Sequence, residues 1–215
     1  MGASRREEVC RYDFTDENGA LRFQKVRYRL FDPEPGGRNK DFRYFNPNAL
    51  PIDRWRKPEG ADRWIYNLPA VRRAIREGEI IHSVEGEKDA DALIERGYVA
   101  TSVHQGANKV TREQMAWLRD AAHVVIWVDK DVEHPEVGAH DAVMRHDHLI
   151  DLGSSGRIEF RRARGPWGGL KDVYDHLAAG YSLAEAVRIN PERLADCAAL
   201  YTPRKNWRVG YGRAA

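Results

Sequence analysis

The stretch that most constrains this chain is Ile80 to Leu93, IIHSVEGEKDADAL. Ile80-Ile81-His82-Ser83-Val84 reads as a short strand that stops at a carboxylate, Glu85, followed at once by Gly86. From Glu87 the spacing changes. Ala90, Leu93 and Ile94 recur at helical intervals behind an acidic first turn, which suits the positive end of a helix dipole. A strand, a glycine turn and a helix put Glu85 at the carboxyl end of a strand, the edge on which open α/β sheets place their ligands. About forty residues later the design returns. His123 to Val128, HVVIWV, is a second apolar run, and it ends in Asp129-Lys130-Asp131. Side chains two apart on extended chain share a face, so both aspartates aim to one side. Two buried strands are thus expected to deliver carboxylates to one sheet edge.

From Glu79 the chain alternates strand and helix, the pattern of a parallel sheet. Strands are expected at 80–84, 98–103, 123–128 and 157–162, and helices at 87–96, 111–121, 139–150, 173–179 and 182–189. Before Glu79 the chain reads differently. Arg11–Phe14 and Leu21–Phe31 form a hairpin around a turn ending in Asn18-Gly19, a strong turn signal. Asp41–Phe45 and Arg63–Asn67 read as further strands, and Ala70–Arg76 as a short helix behind Pro69. Three segments follow: a basic, aromatic-rich, β-rich subdomain over 1–78, an α/β domain over 79–190 and a basic tail over 191–215.

Charge separates the first two. Residues 1–78 hold 17 Lys+Arg against 12 Asp+Glu, whereas 79–215 hold 18 against 21. A basic front end beside an acid-edged sheet suits a polyanion held near bound cations. On the second hairpin strand Lys25, Arg27 and Arg29 share one parity, a phosphate-facing row or simply an exposed strand face. Eleven of the 21 aromatics lie in these 78 residues, interleaved with Arg and Lys. That pattern suits single-stranded nucleic acid and equally a small β core. No apolar run approaches the ~20 residues of a bilayer span, and the N-terminus lacks a secretory apolar core. With only Cys10 and Cys197, far apart, the chain fits a reducing cytoplasm, and no zinc site is expected.

Carboxylates crowded at one edge repel unless a cation holds them ionised, and hard divalent ions take oxygen ligands while keeping waters and substrate phosphates. Glu85, Asp129 and Asp131 therefore read as a platform for Mg²⁺ or Mn²⁺ in phosphoryl or nucleotidyl transfer, with room for two ions about 4 Å apart. Lys88, Lys109, Lys130 and Lys171 fall at the same edge by the strand–helix reading and suit nucleotide or DNA phosphates, together with Lys25 and Arg27. Taken singly, each lysine is also an ordinary surface residue.

Glu85-Gly86 after one strand and Asp129-x-Asp131 after another resemble the Toprim domain of primases, topoisomerases and related nucleases. VEGEKDADAL, with Asp89 four after Glu85, is similar to the primase-type motif, of phage and plasmid Toprim proteins in particular. GLKDVYDHLAAG is similar to the segment carrying that family's further acidic positions, here Asp172 and Asp175. YDFTDENGALRFQKVRY resembles the β-rich subdomain ahead of Toprim in primases. The resemblance covers most of residues 9–190. It implies a Toprim-like (Rossmann-like) parallel sheet flanked by helices. It also implies Mg²⁺-dependent synthesis of short RNA primers on single-stranded DNA from nucleoside triphosphates. In that reading Glu85 is the acid/base residue or a metal ligand, Asp129 and Asp131 bind metal, and Asp89 and Asp172 are supporting ligands. Two departures stand out. The chain carries no Cys/His set for a zinc module that reads the template, which points to a helicase or a separate zinc module as partner. The segment after Asp131, VEHPEV before Gly138, is longer than the family's tight turn. The alternatives are Toprim-type DNA cleavage, with topoisomerase chemistry below it for want of a marked tyrosine, and a non-catalytic nucleic-acid-binding module.

Overall fold

The computed structural model describes residues 5–31, 39–166 and 168–203. Residues 204–215 of the expected basic tail, including Trp207 and Tyr211, lie outside the described residues, as do Trp167 and much of the 32–39 loop.

A small antiparallel sheet comes first, in the order β1 (Arg6–Thr15), β2 (Leu21–Leu30), β3 (Lys40–Phe45). Its hairpin closes where expected. The Asp16 carboxylate accepts the N–H groups of Asn18 and Ala20 at 3.0 and 2.9 Å, and Gly19 takes the left-handed conformation the turn requires. Phe14 and Phe23 stack at 4.7 Å beneath Tyr12 and Ala61 to form this sheet's core. The 63–67 strand is not formed. Ala61–Arg63 makes one 3-10 turn, and the chain then runs through a single bridge, Tyr66 N–H to the Ser102 carbonyl, while Ile65 enters the main core.

After α1 (Leu68–Glu77) come β4 (Ile80–Ser83), α2 (Glu87–Ile94), β5 (Val99–Thr101), α3 (Arg112–Ala116), β6 (His123–Trp127), α4 (Pro135–Asp151), β7 (Arg157–Arg162), α5 (Val173–Ala178), β8 (Val187–Ile189) and α6 (Pro191–Ala198). The five strands form one sheet in the order β5-β4-β6-β7-β8, parallel except for β8. Alternation along β6 shows why helices cover both faces. Val124 and Ile126 join Val71, Leu118 and Leu149 on one side, whereas Val125 and Trp127 join Ala90, Leu93, Val173 and Leu177 on the other. Even the polar residues of β4 are satisfied: Trp127 donates its indole N–H to His82 Nδ1 at 3.1 Å, and Ser83 Oγ accepts from Arg145 at 3.4 Å. Among the described residues no helix is long and apolar enough to cross a membrane.

Three expectations are corrected in this half. The 182–189 helix is one 3-10 turn, Leu183–Glu185, followed by β8. Ser182 and Glu185 do form a capping box, but Val187 and Ile189 are drawn into pairing with β7. The tail reading fails over 191–198, where α6 begins with the Asn190 side chain accepting the Arg193 N–H and buries Leu194 and Ala198 in the main core. Helix 111–121 ends its α-helical turns at Ala116.

Two glue points seat the small sheet on the large one. The Lys25 ammonium on β2 bonds both oxygens of Glu87 on α2 at 2.8 Å, and the Tyr44 hydroxyl meets His104 Nδ1 at 2.8 Å. Burial pushes the His104 imidazole down to about 3, so it sits neutral among Phe14, Phe23 and Tyr44.

Gly138 sets how closely α4 approaches the sheet. A Cβ there would lie 2.3 Å from the Asp129 carbonyl oxygen. Gly138→Ala is therefore expected to cost about 1–3 kcal/mol, as overpacking does, and to displace Asp129. Urea unfolding checks it; an unchanged midpoint would show that the backbone yields freely.

Candidate active site

The carboxyl ends of β4 and β6 are adjacent, and the segments leaving them carry the acidic residues. Glu85 follows β4, Asp129 and Asp131 follow β6, Asp89 faces them from the first turn of α2, and Asp172 caps α5. Asp172 is held there because its Oδ1 accepts the Asp175 N–H at 2.8 Å, and Asp175 in turn accepts the Lys171 N–H at 3.0 Å. Lys130 N–H donates to the Lys171 carbonyl at 2.9 Å, which ties the Lys171-Asp172 segment to the end of β6. Asp89 accepts the Tyr174 N–H at 3.3 Å across the same gap.

The cluster is electrostatically crowded. Burial, reinforced by Glu85, Asp89 and Asp172, pushes the Asp129 carboxyl well above the usual carboxylate range. Burial and Asp141 raise Glu85, and Asp129 beside it opposes that rise through a side-chain hydrogen bond. Burial and Asp172 raise Asp89 to about 7. Burial alone would lower Lys171, but Asp129, Glu85, Asp131 and Asp172 carry it above the ordinary lysine value. Asp131 is held differently: its Oδ1 accepts the N–H groups of Glu133 and His134 at 3.1 and 3.3 Å, which orients it on the longer loop before α4.

Of the expected phosphate-binding residues, Lys171 and Lys88 stand at the cluster. Lys88 Nζ is 3.8 Å from Asp172 Oδ2 and 3.6 Å from the centre of the Tyr174 ring. Arg27 is half-buried and close enough to Lys40 to depress its pKa. Lys109 is exposed, on the turn whose Asn108 N–H bonds Asp141. Two expectations are corrected. Lys25 is buried with both its short hydrogen bonds spent on Glu87, so β2 packs this residue inward rather than towards phosphates. Lys130 is 1% exposed, and its ammonium turns away to bond the carbonyls of Arg164, Gly165 and Pro166.

Three residues missed in the sequence belong here. Lys40, exposed at the start of β3, is lowered by partial desolvation, with Lys171, Arg27 and Lys88 adding to that and Glu85 opposing it, which brings it within electrostatic reach of the cluster. Asp141 and Arg145 on α4 form a buried ion pair beneath Glu85. Asp141 also accepts the Asn108 N–H at 2.7 Å, and Asn108 holds a left-handed conformation to give it. The signal for the pair was an Asp and an Arg four apart on a helix, which reads as a surface ion pair.

Among the described residues, no three or more His, Cys, Asp or Glu side chains converge tightly enough to hold an ion by themselves. The donor set nevertheless fits a hard divalent cation. Burial and mutual repulsion raise these carboxylates, which a cation would relieve, and Mg²⁺ characteristically takes one or two carboxylates and completes its shell with water and substrate phosphate.

No family model matches the sequence, and no curated protein does. Solved structures do match the fold. The chain superposes on the E. coli primase catalytic core with a TM-score of 0.56 at 18% identity, covering 90% of this chain and 56% of that one. A DnaG primase catalytic domain bound to ssDNA gives 0.53 at 19% identity, covering 85% and 52%. The RNA polymerase domain of Mycobacterium tuberculosis primase DnaG gives 0.52 at 18%, covering 90% and 55%. The chain thus spans about half the length of the cores it matches. A small antiparallel sheet ahead of a mostly parallel sheet flanked by helices is thus, over the part covered, the fold of the primase catalytic core.

Proposed function

We propose that this chain is a primase-type nucleotidyltransferase that joins ribonucleotides on a single-stranded DNA template, dependent on Mg²⁺ or Mn²⁺. The observation that carries the reading is that Glu85 and Asp129 at two adjacent strand ends meet Asp89 from α2 and Asp172 from α5, within electrostatic reach of Lys171, Lys88 and Lys40. An acidic floor under a basic rim is what a nucleoside triphosphate with its cation requires. The fold it shares with primase cores, one of them bound to ssDNA, supports the same conclusion.

Asp129 and Asp131 would hold the divalent ion, with Asp89 and Asp172 orienting the cluster from α2 and α5. When bound, the ion supplies charge neutralisation at the α-phosphate and at the attacking oxygen. Lys171 and Lys88 bind phosphate oxygens from one wall, Lys40 and Arg27 from the other. Glu85, its basicity raised by burial, would take the proton of the 3′-hydroxyl as its oxygen bonds the α-phosphorus and pyrophosphate leaves. Arg145 and Asp141 keep the ground beneath Glu85 fixed. Template choice would come from a helicase or a separate zinc module.

The test is incubation with single-stranded DNA, labelled ribonucleotides and Mg²⁺, beside Asp129→Ala/Asp131→Ala. Short labelled oligomers that vanish in the double variant are expected. Shortened DNA without new oligomers would replace this reading with Toprim-type cleavage.

A further inference from the structure

Lys130 stands between the two aspartates of Asp129-Lys130-Asp131, yet its side chain does not face the cluster. Its backbone N–H goes to the Lys171 carbonyl at 2.9 Å. Its ammonium, 1% exposed as a residue, lies 3.2, 3.4 and 3.1 Å from the carbonyl oxygens of Arg164, Gly165 and Pro166. An ammonium has three donors, and three carbonyls take them. Those carbonyls can converge only because Gly165 adopts a left-handed conformation, and without a cation between them they would repel. Arg162 Nη1 adds bonds to Ala163 and Gly165 at 3.2 and 2.8 Å, and the Arg164 N–H reaches His176 Nδ1 on α5 at 3.2 Å. One residue therefore grips the turn leaving β7 with its side chain and the segment entering α5 with its backbone. Between those grips lie the glycine-rich residues that lead to Lys171 and Asp172.

We propose that Lys130 is a positioning residue. It acts as an internal cation that folds the 164–166 turn and so holds Lys171 and Asp172 in register with Asp129. The inference rests on the reading of the acidic cluster as the site of nucleotidyl transfer. The sequence alone offered Lys130 as a phosphate ligand. Its burial and its three carbonyl partners assign it instead to the loop that presents the phosphate ligand Lys171.

Lys130→Met keeps the length and apolar stem of the side chain and removes only the ammonium. Amide hydrogen exchange of the whole chain is the primary readout, because it needs no activity. About a tenfold acceleration is expected over 163–172, with 80–83 and 123–127 unchanged. Lys130→Arg, which retains a cation with several donors, recovers part of the protection. In primer synthesis the Met variant shows a several-fold rise in KM for ribonucleotide, larger than its change in kcat, because displaced Lys171 binds the ground-state triphosphate less well. Unchanged exchange over 163–172 would overturn the proposal. So would acceleration shared equally by 80–83 and 123–127, which would mark Lys130 as a general packing residue. If the unaltered protein makes no primers, the catalytic reading fails on its own, and the exchange data still decide whether Lys130 holds the loop.

Discussion

At pH 8 without divalent cations, Asp129→Asn is expected to melt well above the unaltered protein, and the difference to shrink as the pH falls towards 4. The reason is the direction of the carboxyl shifts. A carboxyl raised in the folded state ionises first in the unfolded chain, so no penalty exists below its ordinary value, and the penalty grows as pH rises from that value and is complete above the folded one. Asp89, moved from 3.8 to about 7, corresponds to roughly 4 kcal/mol once ionised. Asp129 is displaced in the same direction, chiefly by burial and then by Glu85, Asp89 and Asp172, and a neutral amide there feels none of these penalties. At ~2–4 °C per kcal/mol for a chain of this size, several degrees are at stake. The buried histidines act oppositely. His82 and His104 are depressed to about 4 and about 3, so they withdraw stability as the pH falls below about 6.5. Comparing variant with unaltered protein cancels that contribution. Lys171, raised in the folded state, contributes constantly below pH ~10 and leaves the window untouched. Millimolar Mg²⁺ should raise the melting temperature of the unaltered protein at pH 8 and do less for Asp129→Asn, because ligation stabilises only the state that binds. Calorimetry at several pH values measures both effects. Equal or lower melting of Asp129→Asn at pH 8 would show that these carboxyls are not crowded.

Arg145→Met is expected to be the most damaging single change outside the acidic cluster. The guanidinium is 1% exposed, paired with Asp141 and bonded to Ser83, and Asp141 itself is 2% exposed. Removing one member of a buried pair leaves the other charge uncompensated, at a cost of about 3–5 kcal/mol. That is a large fraction of a typical folding free energy of ~5–15 kcal/mol. Asp141 would keep only the Asn108 N–H, and the carboxyl of Glu85 would lose one of the two cations, with Lys171, that oppose its rise. Arg145→Met/Asp141→Asn should recover part of the loss, since it removes both charges. Urea midpoints for the single and double variants decide it. A loss below 1 kcal/mol in the single variant would mean that water already compensates this pair.

Much of this fold was legible because the sequence repeats one design. Apolar runs ending in Glu85 and Asp129 fixed two strand ends, and β6, with apolar residues at successive positions, could only be a strand covered on both faces. What was illegible depended on partners distant in the chain. Lys25 reads as one of a basic row until Glu87, 62 residues away, is seen to take its ammonium. Val187 and Ile189 fit a helical pattern until β7 offers an open edge. Asn190-Pro191 did carry a start signal for α6, passed over because the following residues read as a basic tail. Glu85 and Asp129 stood out by strand-end spacing and Asp89 and Asp172 by the resemblance, and the fold brings the four to one edge. Lys40, Asp141 and Arg145 did not stand out, because a loop lysine and an Asp–Arg pair on a helix carry no local mark of what they face.

The measurement that bears most directly on the central claim is ribonucleotide incorporation by Glu85→Gln on single-stranded DNA, with DNA binding followed in parallel. Loss of the proton-accepting carboxylate should lower incorporation by about 10²-fold or more while DNA affinity stays within about twofold, because the neutral amide fills the same space. Incorporation at the unaltered rate would contradict the assignment of chemistry to this cluster.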